Sequence, residues 1–233
     1  MKRPVAGRTA AAGRRAAMRY TVLMNEFWPL FGLRLRHRDV LLRPMRENDL
    51  PYLASVLPGD VGHDPRLAMF GSQTFEENER RLFCQGYWKA LGAWEPASWV
   101  LHFAVEHRGA LVGVQTLEGE NFPALRTVDS ASWLVGAVRG RGVGRAMRTA
   151  VLGLAFDHLG AAAAISSATM ANAASLGVSR RIGYAENGVS RIVDTGGDIV
   201  ELQNLRLTAD RWPGAEVAVE GLPPCLPWFG LDG

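Results

Sequence analysis

The chain has almost no cysteine. Cys84 and Cys225 are the only two in 233 residues, and neither has metal-ligand neighbours at short spacing, so no disulfide framework or zinc site is indicated. No apolar run approaches the roughly 20 residues of a membrane-spanning helix, and no charged start leads into the apolar stretch of a signal peptide. A soluble, cytoplasmic protein with no metal and no membrane partner is expected. Cys84 lies in an apolar helical pattern, where a free thiol is usually inert core, although a covalent acyl-cysteine is the reactive alternative.

Basic charge is also scarce outside one segment. The net charge is +3, but residues 1–19 hold six of the 26 lysines and arginines and no acid, leaving 20 basic against 23 acidic side chains. The body is therefore slightly acidic, which disfavours a nucleic-acid binder. The Ala/Gly/Arg-rich tail has no periodic apolar residues to offset its ordering entropy. It reads as disordered over residues 1–24, or as translation begun upstream of Met18 or Met24; a transit peptide or a nucleic-acid arm has a similar composition.

What is present is enough apolar material, 48%, for one well-buried core. One domain over residues 25–212 is expected, followed by an extension, 213–233, that packs on the domain or on a partner subunit. Residues 40–44 read as a strand, and Asn48 before Leu50, Leu53 and Leu57 as a capped helix stopped by Pro58-Gly59. Thr74, with Glu76 and Glu77 behind it, opens a second helix that ends at Gly92. Trp99, Leu101, Phe103 and Val105 alternate along a strand that turns at Arg108-Gly109 into a second, 111–117. A third strand, 127–135, points Asp129, Ala131, Trp133 and Val135 to one side. A glycine-rich turn, 139–144, leads into a helix, 145–159, with an apolar stripe through Met147, Ala150, Val151, Leu154 and Ala155. A short buried strand, 162–169, a helix capped by Asn172 and ended by Gly183, and a strand at 200–207 complete an α/β fold of the α+β type, a mixed sheet flanked by helices. Two similar aromatic segments, 28–33 and 226–231, flank it and are too apolar to leave in water, so at least one is expected in a homodimer contact.

The turn carries the strongest chemical signal. Gly140, Gly142 and Gly144 let backbone approach a ligand, the N–H groups at the following helix start favour a phosphate or pyrophosphate, and Arg139, Arg141 and Arg145 add positive charge. The bland alternative is a tight connection with solvated arginines. The dinucleotide fingerprint fails because Arg145 stands where its last glycine belongs, and the Walker pattern fails because no Gly-Lys-Ser/Thr is present.

Arg139, Gly142 and Gly144 do match the turn that opens the CoA-binding helix of the GNAT acyltransferases. Residues 128–148, with Asn172, Ser175, Gly183 and Tyr184 further on, resemble the Rim branch, the ribosomal-protein alanine acetyltransferase type. Trp28-Pro29-Leu30-Phe31, His63-Asp64-Pro65, Val128-Asp129-Ser130 and Val178-Ser179-Arg180-Arg181 are similar to an actinobacterial GNAT group that uses succinyl-CoA. The resemblance implies acetyl-CoA or succinyl-CoA as acyl donor and a small-molecule or protein amine as acceptor. It implies that the amides of residues 141–145, Val143 included, hold the pyrophosphate. Trp133, Leu134 and Val135 would pair with the pantetheine arm and offer an oxyanion donor, and Asn172, Ser175 and Arg180 would complete the CoA site. Asp129 is the leading base, with a strand-edge aspartate bound to nearby backbone as its structural alternative. The tyrosine expected seven residues after the asparagine is Ser179, a poorer acid, and a thiolate of pKa about 8.5 needs no dedicated one. His63, oriented by Asp64, is a second candidate base, against an exposed histidine on an Asp-Pro turn. A catalytically weak CoA-binding sensor or scaffold is the rival reading, supported by the missing tyrosine.

Overall fold

The computed structural model describes residues 24–61, 67, 69–194 and 197–231. The basic segment 1–19, and His63 with Asp64, lie outside the described residues.

One sheet of nine strands organises the chain, in the order β7-β8-β6-β5-β4-β3-β2-β1-β9. The strands are β1 (Arg34–His37), β2 (Val40–Pro44), β3 (Trp99–His107), β4 (Ala110–Gly119), β5 (Thr127–Leu134), β6 (Ala163–Thr169), β7 (Ala185–Val193), β8 (Ile199–Thr208) and β9 (Ala218–Glu220). Every neighbouring pair is antiparallel except β5 and β6, which run parallel. Three strands are additional to those expected. β1 buries only Leu35 deeply, β9 is three residues long, and β7 is largely exposed and interrupted by a bulge at Asn187 and Gly188, so none carries the alternation that marks a half-buried strand.

Helices α1 (Leu50–Ser55) and α2 (Phe75–Gly92) cover one face; α4 (Val143–Gly153) and α5 (Ala173–Ile182) cover the other; α3 (Phe122–Leu125) is a single turn. On the α4 face Met147, Ala150, Val151 and Leu154 pack on Leu35, Leu42, Phe103, Leu117 and Val128; on the α2 face Tyr87, Leu53 and Phe83 pack on Met45, Ala104, Val114 and Trp133. Thr74 caps α2 through a box with Glu77, as its sequence requires. The helix expected from Asn48 starts differently: Asp49, not Asn48, takes the N–H of Arg46, a 3₁₀ turn intervenes, and α1 ends at Ser55, short of Leu57. The glycine-turn helix begins at Val143, two residues before the expected start, and closes in a π turn, Leu154–His158.

The two aromatic segments find each other. The Trp28 and Trp228 rings meet edge-on at 4.6 Å, Trp94 donates its indole N–H to the Trp228 carbonyl at 3.0 Å, and Phe229 packs on Trp99 at 4.9 Å. β9 joins the same sheet beside β1. The apolar surface that prompted a second subunit is thus met within one chain, and the reason given for a homodimer contact falls away.

Candidate active site

The parallel pair β5 and β6 holds together over only three residues, Thr127 to Asp129 against Ala163 to Ile165. Beyond them β5 continues to Leu134 and β6 to Thr169 with no ladder between, so the sheet splits. Val135 donates its N–H to Val112 of β4, and the carbonyl of Ala131 also faces β4, where Gln115 donates to it. Strand alternation then turns the main-chain groups of Ser130, Ser132 and Leu134 toward the split. Arg139 occupies the Leu134 carbonyl, and the Ser130 N–H donates to Asp129 Oδ1 at 2.6 Å. By the same alternation the N–H groups of Ser132 and Leu134 point away from β4, and the β5–β6 ladder ends at Asp129, before it reaches them. They are the outward-facing donors of the edge: Leu134 lies within the range 133–135 to which the sequence pointed and Ser132 just before it, while Val135 is engaged with β4.

At the wide end of the split stands the glycine turn. Gly140 and Gly142 have φ of +74° and +83°, conformations that L side chains resist, and a Cβ at either would meet no protein atom within 4 Å. Gly142 occupies the N-cap of α4 with no side-chain cap, so the first N–H groups of that helix are open to an anion. Arg141 and Arg145 are exposed beside it. Arg139 is differently placed: it grips both oxygens of Asp60 at 2.6 and 2.9 Å and tethers the α1–α2 connection to the end of β5. That pairing raises its pKa further and holds the Asp60 carboxyl below the usual range.

At the narrow end two carboxylates lie side by side. Asp129 of β5 is directly opposite Glu118 of β4. Burial pushes Asp129 above the ordinary carboxylate value, while the Ser130 N–H and the charge of Arg148 work against that rise. Glu118 is raised by burial and by the neighbouring Asp129 charge. Asp129 also borders a cleft of about 170 Å³ lined by Ile165, Ser166, Ser167, Asn187, Asn204 and Leu205. Glu118 was missed in the sequence because only strand register brings it to Asp129.

Residues 39–185 match the acetyltransferase (GNAT) domain. The chain belongs to the GNAT acetyltransferase family. Its fold is similar to that of Mycobacterium smegmatis RimJ in complex with CoA-disulfide, at 20% identity and TM-score 0.63, over 80% of this chain and 92% of that one. RimL, a ribosomal L7/L12 alpha-N-protein acetyltransferase in complex with coenzyme A, aligns at 16% identity and TM-score 0.56 over 74% and 96%. A spermidine N-acetyltransferase chimera of SpeG from Vibrio cholerae aligns at 16% and 0.53 over 74% and 97%. At such identities the likeness concerns the fold.

Trp133 packs edge-on against Phe83 of α2, and Leu134 is buried beside Gly113, where a Cβ would collide with the Trp133 carbonyl. Asn172 caps α5 by accepting from the Ser175 N–H at 3.0 Å, and Arg180 pairs with Glu186 at 2.7 Å on the surface. Ser179 is buried; it accepts from Arg148 at 2.7 Å and donates to the Ser175 carbonyl at 3.2 Å. Cys84 sits in the α2-side core with its thiol pushed up by burial, away from the thiolate form. Among the described residues no group of three or more His, Cys, Asp or Glu is placed to hold a metal, and no helix is long and apolar enough to cross a membrane.

Proposed function

We propose that this protein transfers an acetyl or succinyl group from a CoA thioester to a primary amine by direct attack in a ternary complex. One observation carries the reading: a split between two parallel strands runs from an uncapped helix start to a half-buried carboxylate. The N–H groups of residues 141–145, with Arg141 and Arg145, suit a pyrophosphate, and the Ser132 and Leu134 N–H groups suit the amide-bearing arm and the thioester oxygen. Asp129, with its proton affinity raised by burial, takes the proton of the attacking amine. RimJ, RimL and the SpeG chimera support a CoA substrate and an amine acceptor by analogy of fold.

A second reading, a CoA-binding sensor or scaffold with weak turnover, is favoured by Ser179, whose buried hydroxyl already donates to a main-chain carbonyl. Thiol release from acetyl-CoA and succinyl-CoA, measured with a panel of peptides, polyamines and small amines, separates the two. Amine-dependent release supports transfer; tight CoA binding with no release for any amine supports the sensor.

A further inference from the structure

Arg148 of α4 is 4% exposed, and among the described residues no carboxylate pairs with it. Its guanidinium donates to two neutral hydroxyls, Ser179 Oγ at 2.7 Å and Ser132 Oγ at 3.4 Å, and its Nε has no partner. The buried hydroxyls of Ser130 and Tyr184 lie close by and find no partner beyond each other. A buried charge without a counter-ion, carrying an unsatisfied Nε, is costly, and native proteins keep such groups where a ligand or a reaction meets them. The titratable groups that act on Arg148 are Asp129 on β5 and Tyr184 beyond α5; the side chains that touch it, Ser132 of β5 and Ser179 of α5, are neutral.

Position indicates which negative charge belongs there. Arg148 lies on the second turn of α4, beneath Ser130 and Ser132, where β5 and β6 come together. A nucleotide held at the start of α4 would extend its arm along the split, about 13 Å of strand from Leu134 to Ser130, and its reactive end would reach this narrow end. There the amine nitrogen attacks the thioester carbon, the C–N bond forms and the C–S bond breaks. The electron pair leaves on sulfur, the amine proton passes to Asp129, and the thiolate is protonated from water.

Resting on the acyl-transfer reading, we propose that Arg148 is a positioning residue that stabilises the departing CoA thiolate electrostatically, the part a hydroxyl acid would otherwise play. Arg148 reaches the site through Ser179 and Ser132, and its positive charge favours the anionic sulfur in a medium screened from water.

The test uses the free product. Binding of CoA and of dethio-CoA, which lacks the sulfur, is measured by calorimetry in buffers of different ionisation heat. The thiolate absorbance of bound CoA is titrated in parallel. Wild-type protein should bind both ligands, release protons only with CoA, and hold the bound thiol about one unit below its free value, a tenfold gain in thiolate at a given pH. Arg148→Met should keep both ligands bound but abolish the proton release, and Arg148→Lys should restore part of it. Equal proton release from CoA and dethio-CoA by the wild type overturns the inference even if the variants do not fold. So does a thiol titration unchanged in Arg148→Met, including the case in which that variant loses succinyl-CoA but not acetyl-CoA and the guanidinium serves an acyl carboxylate. If the wild type binds neither CoA nor dethio-CoA, the acyl-transfer reading itself fails.

Discussion

Arg43 and Arg148 are both drawn toward the sheet, and they meet opposite surroundings. Arg43, in the unbroken half, donates to both oxygens of Asp49 at 2.7 and 2.8 Å and to Glu106 at 2.7 Å, and these bonds hold its pKa above the usual arginine value. Arg148, beneath the split half, meets only hydroxyls, and burial pushes its pKa down. The closed half satisfies its charges and gains a fixed register. The open half leaves charges and main-chain donors unsatisfied, which weakens the fold locally and fits a place where a ligand completes the bonding.

The largest expected effect lies in the open half. Asp129→Asn removes a proton acceptor with a near-isostere and should lower acyl transfer about 10²- to 10⁴-fold at neutral pH, with CoA affinity unchanged in calorimetry. In the wild type the acid limb of the pH–rate profile should lie above the ordinary carboxylate range, because burial raises Asp129. A rate that persists with the same profile makes Asp129 structural and moves attention to His63.

In the closed half the expected loss is of stability. Arg43→Met leaves Asp49 and Glu106 without their cation and should cost about 3 kcal/mol, lowering the thermal midpoint by roughly 6–12 °C. Arg148→Met, which removes an unpaired charge and supplies apolar contact, should be nearly neutral or stabilising. Equal losses in the two variants would break the contrast, since they would mean that Arg148 is as well compensated as Arg43. Gly142→Asp is a smaller perturbation of the open half. It forces a side chain into φ +83° and sets a carboxylate at the helix start, so CoA affinity should fall at least about tenfold while the thermal midpoint changes little.

The same contrast explains what the sequence could disclose. The Thr74 cap, the hairpin through Arg108-Gly109 and the turn at Gly140 and Gly142 were legible because each depends on a few consecutive residues. β7 was not, because strand pairing alone, with little apolar patterning, holds it beside β8. Nor was the chemistry of the split: Arg148 reads as one polar position on an amphipathic helix until α5 brings Ser179 to it across 31 residues. The edge donors were legible only as the range 133–135, because which N–H groups within and beside it face outward is decided by the bond from Val135 to Val112 in β4.

The smallest effect concerns Glu118, and it tests whether the carboxylate pair is a strained feature of the open half. Like charges directly opposite on neighbouring strands destabilise, here by a few tenths to about 1 kcal/mol. A carboxyl whose pKa is higher folded than unfolded keeps its proton longer in the native state. Stability therefore falls as pH rises from the unfolded to the folded value, and the deficit persists above that window. Glu118→Gln removes the deficit, so its thermal midpoint at neutral pH should exceed that of the wild type by about 1–3 °C. Below the ordinary carboxylate range Glu118 is protonated in both states of the wild type, and the two proteins should melt together. If Glu118→Gln is instead less stable at every pH, Glu118 has a favourable partner, and the pair belongs with Arg43 among the satisfied charges of the sheet.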